Sequence, residues 1–106
     1  MQDLSTYFRA LADRKRLRVV ELLTERESMT VTQLGEEMRL SQPLISWHLR
    51  ILKKAGIIKT RRQGRQVWCS LNLPALAEYQ EQIAEMLHLD KTGVSRVHTH
   101  AITKGA

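Results

Sequence analysis

The stretch SQPLISWHLRILKKAGII, residues 41–58, contains a helix with two chemically different faces. Four apolar residues recur at three- and four-residue spacing and are predicted to face a core: Leu44, Ile45, Leu49 and Leu52. Ser41 is a candidate N-cap, and Gly56 is well placed to end the helix in a left-handed conformation. The other face carries an amide, a hydroxyl, an indole and three cations: Gln42, Ser46, Trp47, Arg50, Lys53 and Lys54. The pattern predicts a helix that buries one side and offers the other to a partner.

A second, shorter helix is predicted just before this stretch. Thr30 with Gln33 three residues later forms a capping box, and Val31, Leu34 and Met38 supply an apolar side. Only the segment RLS, residues 39–41, separates the two helices. Two helices joined this tightly are typical of a helix-turn-helix.

Two further helices are predicted nearer the N-terminus. The first has apolar residues at helical spacing: Leu4, Tyr7, Phe8 and Leu11. Asp13 is a candidate cap for the second, in which Leu17, Val20 and Leu23 follow one stripe.

Beyond Gly56 the helical spacing of apolar residues gives way to a different pattern. The segment IIKTRRQGRQVWCSLN, residues 57–72, predicts a β-hairpin that turns at Gln63-Gly64. Asn72 and Pro74 open a last helix with an apolar stripe. The prediction is a mainly α protein with a small β-hairpin, a winged helix-turn-helix of order α-α-α-α-β-β-α that occupies residues 1–89. Residues 90–106 show no helical or strand period and are predicted to form a flexible C-terminal tail.

The net charge of +6 is unevenly distributed. Residues 38–77 contain eight cations and no acidic residue, so this window contributes +8 and the remaining residues sum to −2. Residues 78–90 contain four acids and neither Lys nor Arg. This segregation favours a polyanion on one surface, and double-stranded DNA is the predicted partner.

The helix of the opening stretch has the width to enter a DNA major groove of about 12 Å. The predicted base contacts are Gln42, Ser46, Trp47 and Arg50. The predicted contacts to the DNA backbone, including the tip of the wing, are Ser41, Lys53, Lys54, Arg61, Arg62 and Arg65. The alternatives are that Trp47 packs against its own domain and that some of the cations are merely solvated.

A domain of this size makes too few contacts for operator-level specificity, so two copies on a palindrome are expected. The predicted dimer interface joins the terminal helices through apolar residues: Leu4, Tyr7, Phe8, Leu76, Tyr79, Ile83, Met86 and Leu87.

The sequence gives little support for a membrane protein, a secreted protein or an enzyme. No apolar run approaches a membrane span or a signal peptide, and the single Cys69 fits a reducing compartment, so the protein is expected in the cytoplasm without a membrane partner. An enzyme is not expected, because the chain offers no acid/base pair, no activated nucleophile and no glycine-rich phosphate loop.

These residues carry a family resemblance. FRALADRKRLRVVELL and LSQPLISWHLRILKKAGIIKTRRQGRQVWCSL resemble the ArsR/SmtB family of bacterial winged-helix repressors over about residues 4–89. The resemblance implies a dimeric repressor that leaves its operator when an effector, often a metal ion, binds. It places Gln42, Ser46 and Trp47 at base-contacting positions and His48 at a recurring histidine before leucine.

The family's sensing sites are not matched. Its thiolate positions correspond to Thr30 and Thr32, and its other ligand positions correspond to non-coordinating residues: Leu73, Ala75, Met86 and Leu89. Cys69 has no partner cysteine for redox sensing. No cofactor is expected to be required, and the effector is either a small organic molecule at the dimer interface or Zn or Ni. The metal would use a C-terminal set: His88, Asp90, His98 and His100. A metal sensor and a winged-helix protein-interaction module are therefore kept as alternatives to the repressor.

Overall fold

The computed structural model describes residues 3–89. Within them the chain forms helices α1 (Leu4–Leu11) and α2 (Arg14–Arg26), strand β1 (Ser28–Thr30), helices α3 (Val31–Met38) and α4 (Gln42–Lys54), strands β2 (Ile58–Gln63) and β3 (Gln66–Leu71), and helix α5 (Leu73–Leu87). The predicted winged helix-turn-helix is confirmed, but the predicted order lacked β1. The predicted tail, with Asp90, His98 and His100, lies outside the described residues.

The helices begin where side chains cap them. Asp13 accepts hydrogen bonds from the backbone N–H groups of Lys15 and Arg16, and Ser41 and Asn72 cap α4 and α5. The capping box at α3 is confirmed, because the Thr30 hydroxyl accepts from the N–H of Gln33 while the Gln33 side chain accepts from that of Thr30, both at 3.0 Å. These caps satisfy N–H groups that the first turn of each helix leaves unpaired.

The three strands form an antiparallel sheet of order β1-β3-β2. The hairpin turns at Gly64, whose φ of +63° lies in the left-handed region that glycine adopts at little cost. On the other side, β1 pairs with β3 and places Met29 opposite Cys69 and Thr30 opposite Trp68. Since Thr30 also caps α3, the wing is attached directly to the start of the helix-turn-helix.

The core lies between α2, α3, α4 and the base of the sheet. Its largest fully buried side chains are Val19, Leu22, Leu23, Met29, Leu34, Ile45, Leu52, Ile57, Ile58 and Cys69. At Gly35, an added Cβ would come within 3.3 Å of both the Ile45 Cγ2 atom and the Leu40 carbonyl oxygen, so α3 and α4 approach closely there.

Two predicted core residues are instead exposed. Leu17 is 46% exposed because the buried stripe of α2 runs through Arg16, Val19, Leu22 and Leu23, which leaves Leu17 on the outer side. Leu44 is 37% exposed because it lies in the first turn of α4, where Ile45 is the residue that faces the core.

Helices α1 and α5 pack together through two tyrosines. The rings of Tyr7 and Tyr79 stack with centroids 4.1 Å apart, and the Tyr79 hydroxyl donates to the carbonyl oxygen of Ala55 at the end of α4. Both side chains are therefore covered within the protomer, although they were predicted at the dimer interface. Within residues 3–89, none of the helices has the length and apolar character needed to cross a membrane.

Candidate nucleic-acid interface

Helix α4 presents its polar face outward. Gln42, Trp47, Arg50, Lys53 and Lys54 are all exposed. Ser46 is half-buried, as expected for a short side chain beneath longer neighbours. The predicted division of this helix into a buried face and an exposed polar face is therefore confirmed, except at Leu44.

The wing lies beside this face. Ser46, Arg50 and Lys53 from α4 line an open groove of about 240 Å³ together with Thr60 and Val67 from the hairpin. Arg50 and Lys53 therefore share one surface with β2 and β3. This is the juxtaposition that a groove-binding helix with a flanking wing requires.

The cations of this surface have no carboxylate partner within residues 3–89. Both ion pairs in that part of the chain lie elsewhere, between Arg18 and Glu21 and between Arg26 and Glu37. At the wing, the Arg61 guanidinium donates to the neutral side chain of Gln63, at 3.4 Å. The wing arginines are all exposed: Arg61, Arg62 and Arg65. Unpaired exposed cations of this kind are the groups that contact phosphate.

On its other side, α4 packs against a buried cation that was not predicted from the sequence. Arg16 is 8% exposed, and its Nε donates to the carbonyl oxygen of Ala10 at 2.6 Å. Its Nη1 lies 3.1 Å from Nδ1 of His48, and its Cζ lies 5.8 Å from the centre of the Trp47 ring. The available signal was the spacing of Arg16 with Val19 and Leu23, which places a cation on the core-facing stripe of α2.

His48 is buried beneath Trp47 and does not reach the outer face. Burial lowers the pKa of His48 below its usual 6.5; the Asp13 carboxylate opposes this effect, whereas Arg16 and Lys15 add to it. Burial and the two neighbouring cations therefore favour the neutral ring. The family's recurring histidine has a structural position in this chain.

The described residues do not fit a metal site of the kind that the resemblance implies. Within residues 3–89, there is no group of three or more His, Cys, Asp or Glu side chains that could hold a metal ion. Thr30 uses its hydroxyl to cap α3, and burial raises the pKa of the Cys69 thiol to about 11, which disfavours the thiolate that metals need. His88 is exposed as the left-handed C-cap of α5.

Four large apolar side chains on α1 and α5 are exposed. They are Phe8, Leu73, Met86 and Leu87, which are 46%, 65%, 56% and 49% exposed. Three of these residues were predicted at the dimer interface. Leu73 was not, because the family resemblance relates that position only to a metal ligand.

The family model described as "Bacterial regulatory protein, arsR family" matches residues 13–60. The helix-turn-helix-type transcriptional regulator MJ1325 of Methanocaldococcus jannaschii is 49% identical over 57 residues, which cover 54% of this chain and 64% of that protein. The transcriptional repressor SdpR of Bacillus subtilis (strain 168) is 34% identical over 90 residues, covering 85% of this chain and 96% of SdpR.

Among solved structures, the crystal structure of an ArsR family transcriptional regulator is similar, with a TM-score of 0.69 and 29% identity. The match covers 81% of this chain and 92% of that one. The likeness to SdpR extends over nearly the whole of that repressor, although the match to the Methanocaldococcus regulator covers less than two thirds of its length. The chain belongs to the ArsR family of bacterial regulatory proteins.

Proposed function

We propose that this protein is a sequence-specific DNA-binding transcriptional repressor that acts as a homodimer on a palindromic operator. The observation that carries the proposal is the shared surface of α4 and the wing. There, Arg50 and Lys53 of α4 line one groove with Thr60 and Val67 of the hairpin. The exposed cations of α4 and of the hairpin have no carboxylate partners within residues 3–89.

The outer face of α4 supplies the proposed base contacts. The Gln42 amide matches the donor and acceptor pair of an adenine edge, and the Arg50 guanidinium matches guanine. Ser46, half-buried, lets the helix approach closely. The exposed face of Trp47 offers an apolar contact to a thymine methyl or a sugar. Leu44, exposed on the first turn, adds a second apolar contact of the same kind.

The remaining cations supply affinity. Lys53 and Lys54 at the end of α4, together with the wing arginines, are proposed to contact phosphates, and Ser41 at the start of α4 adds a hydroxyl. These contacts release counterions and carry little sequence information. They are expected to make binding strongly dependent on salt.

The exposed apolar side chains of α1 and α5 form the proposed dimer interface. Phe8, Met86 and Leu87 would be covered by a second copy, together with Leu73. Two copies would then present two α4 helices to successive turns of one DNA face. Because the partner is DNA and the sole cysteine is unpaired, the proposed location is the cytoplasm.

Release by an effector belongs to the proposal. A small organic molecule at the dimer interface is the first candidate, and Zn or Ni at the C-terminal set (His88, Asp90, His98 and His100) is the second. Calorimetry with Zn and Ni separates them, using the full chain and a chain truncated after Leu89. Metal binding that disappears on truncation would identify the second candidate.

The decisive experiment selects genomic DNA fragments on the protein at physiological salt and then measures single substitutions on the selected site. Gln42→Ala or Arg50→Ala should relax the preference at one base position, at a cost of about 1 to 3 kcal/mol. Lys53→Ala or Arg62→Ala should weaken all duplexes alike and flatten the salt dependence. A folded dimer with no preference among duplexes even at low salt would instead indicate a protein-interaction module.

A further inference from the structure

We propose that Arg16 and His48 form a positioning pair that fixes the orientation of Trp47 on the DNA-facing side of α4. The inference rests on the proposed function, because it concerns how the base-contacting face is held. It assigns a role to a residue of α2 that lies outside both the predicted DNA contacts and the predicted dimer interface.

The first step is the anchoring of Arg16. Its Nε donates to the Ala10 carbonyl at 2.6 Å, and its Nη2 lies 3.4 Å from the Arg9 carbonyl oxygen. Both carbonyls lie in the last turn of α1, where the helix dipole favours a cation. The Arg9 oxygen also accepts the backbone N–H of Ala12 at 3.3 Å. The end of α1 therefore fixes the position of the guanidinium that contacts α4.

The second step is the direction of the hydrogen bond to His48. A guanidinium has donors and no acceptor, so the 3.1 Å contact between Arg16 Nη1 and His48 Nδ1 requires Nδ1 to accept. The ring must then be neutral, with its proton on Nε2. A protonated ring would place a donor against a donor and a cation against a cation. The other charged groups around the ring are Asp13 and Lys15.

The third step is the contact with Trp47. The indole is 49% exposed, so burial alone does not fix its orientation. Instead, the Arg16 guanidinium lies over it at 5.8 Å, and the His48 ring meets it edge-on at 5.0 Å with an interplanar angle of 65°. One side of the indole is thus held by the pair, and the other side is free to meet DNA.

The test compares two substitutions of one residue. His48→Asn keeps an acceptor near the position of Nδ1, whereas His48→Leu keeps an apolar side chain and removes the acceptor. Both are made together with Trp68→Phe, because Trp47 is then the only tryptophan. Thermal melts and far-UV circular dichroism establish that each variant is folded. The measurements are the emission of Trp47 and the ratio of affinities for the selected site and for an unrelated duplex.

If Arg16 and His48 fix the orientation of Trp47, the two variants should give different results. His48→Leu should shift the Trp47 emission and lower the affinity ratio about tenfold, because the loss corresponds to one weakened base contact. His48→Asn should stay close to the parent in both. The slope of affinity against salt should be the same in all three, since no phosphate-contacting cation is changed. Arg16→Met should reproduce the effects of His48→Leu.

A pH series gives a second readout that does not depend on the folding of His48→Leu. As pH falls through the lowered pKa of His48, protonation of the ring should reduce the affinity ratio of the parent but not that of His48→Asn. Parallel pH profiles for the two proteins would overturn the inference. So would Trp47 emission and an affinity ratio that are unchanged in folded His48→Leu. If the parent itself does not discriminate among duplexes, the proposed function fails, while the Trp47 emission still tests the pair without DNA.

Discussion

Tyr79 shows how one side chain joins three helices. Its ring stacks on Tyr7 of α1, and its hydroxyl donates to the Ala55 carbonyl at 2.6 Å, at the point where α4 ends. Ala55 is buried, so water cannot easily replace the lost donor. An unsatisfied buried acceptor costs more than an ordinary hydrogen bond contributes.

Tyr79→Phe is therefore expected to lower the free energy of unfolding by about 1 to 3 kcal/mol, measured by urea denaturation. The matched control is Tyr7→Phe, which keeps the stack and removes a hydroxyl that has no hydrogen bond within residues 3–89. Equal losses in the two variants would show that the bond to Ala55 contributes nothing specific.

For single residues, the sequence predicted the polar face of α4 well, but it predicted less well which residues are buried. The exposed polar face of α4 was predicted correctly because helical spacing separates it from Ile45 and Leu49. Leu17 was misplaced because LRVVELL has apolar residues on several sides of α2, so spacing alone does not choose the buried stripe. Arg16 was missed because its partners are carbonyls of α1 and His48, which is 32 residues away in the chain.

Among the elements, β1 and α3 are coupled through one residue. Thr30 is 2% exposed, ends β1 opposite Trp68, and caps α3 through its hydroxyl. The cap was predictable because Thr30 and Gln33 are close in sequence. The strand was not, because three residues show no alternation and β1 exists only through its pairing with β3.

Thr30→Ala should destabilise the protein by about 1 to 2 kcal/mol, because the N–H of Gln33 loses its acceptor. Thr30→Ser retains the hydroxyl and should lose clearly less. Urea denaturation of the two variants makes the comparison. If Thr30→Ser loses as much stability as Thr30→Ala, the loss comes from packing of the threonine methyl group rather than from the cap.

Over the whole molecule, the proposed DNA surface and the proposed dimer surface are formed by different elements. The first is formed by α4 and the hairpin, and the second by α1 and α5. Met86 is 56% exposed on α5, so its side chain contributes little to the core of one protomer. A change there should alter assembly without altering the fold.

Met86→Asp is expected to shift the protein toward monomer, because a dimer would bury the new carboxylate without a partner. Sedimentation equilibrium measures the assembly, and circular dichroism should show unchanged helix content. Glu78→Gln on the same helix is the control and should leave assembly as in the parent. A dimer of parental strength in Met86→Asp would place the interface elsewhere.

The stability of the whole molecule is also expected to depend on pH. His48 has a lowered pKa in the folded state, so the unfolded chain takes up its proton first as pH falls below 6.5 and stability declines. The decline from this group stops once pH passes its folded pKa. For Asp13, partial burial opposes ionisation, but the N–H donors of Arg16 and Lys15 outweigh it and lower the pKa below 3.8.

Thermal melts across pH should therefore show one loss of stability below pH 6.5 and a further loss near and below pH 3.8. His48→Asn should remove the first loss. Asp13→Asn should reduce the second, to which Asp3 also contributes because hydrogen bonds from Thr6 and Ser5 likewise lower its pKa. A first loss that survives in His48→Asn would assign it to another group.

The strand order β1-β3-β2 leaves β2 at an outer edge of the sheet. An unpaired edge is a template on which other chains can add strands and start aggregation, and charged side chains are a common protection against this. Lys59, Arg61 and Arg62 all lie on β2 and are exposed. Arg61 and Arg62, which are proposed to meet phosphate, would thus also repel the edge of a neighbouring copy together with Lys59, so wings stripped of charge to abolish DNA binding should be less soluble.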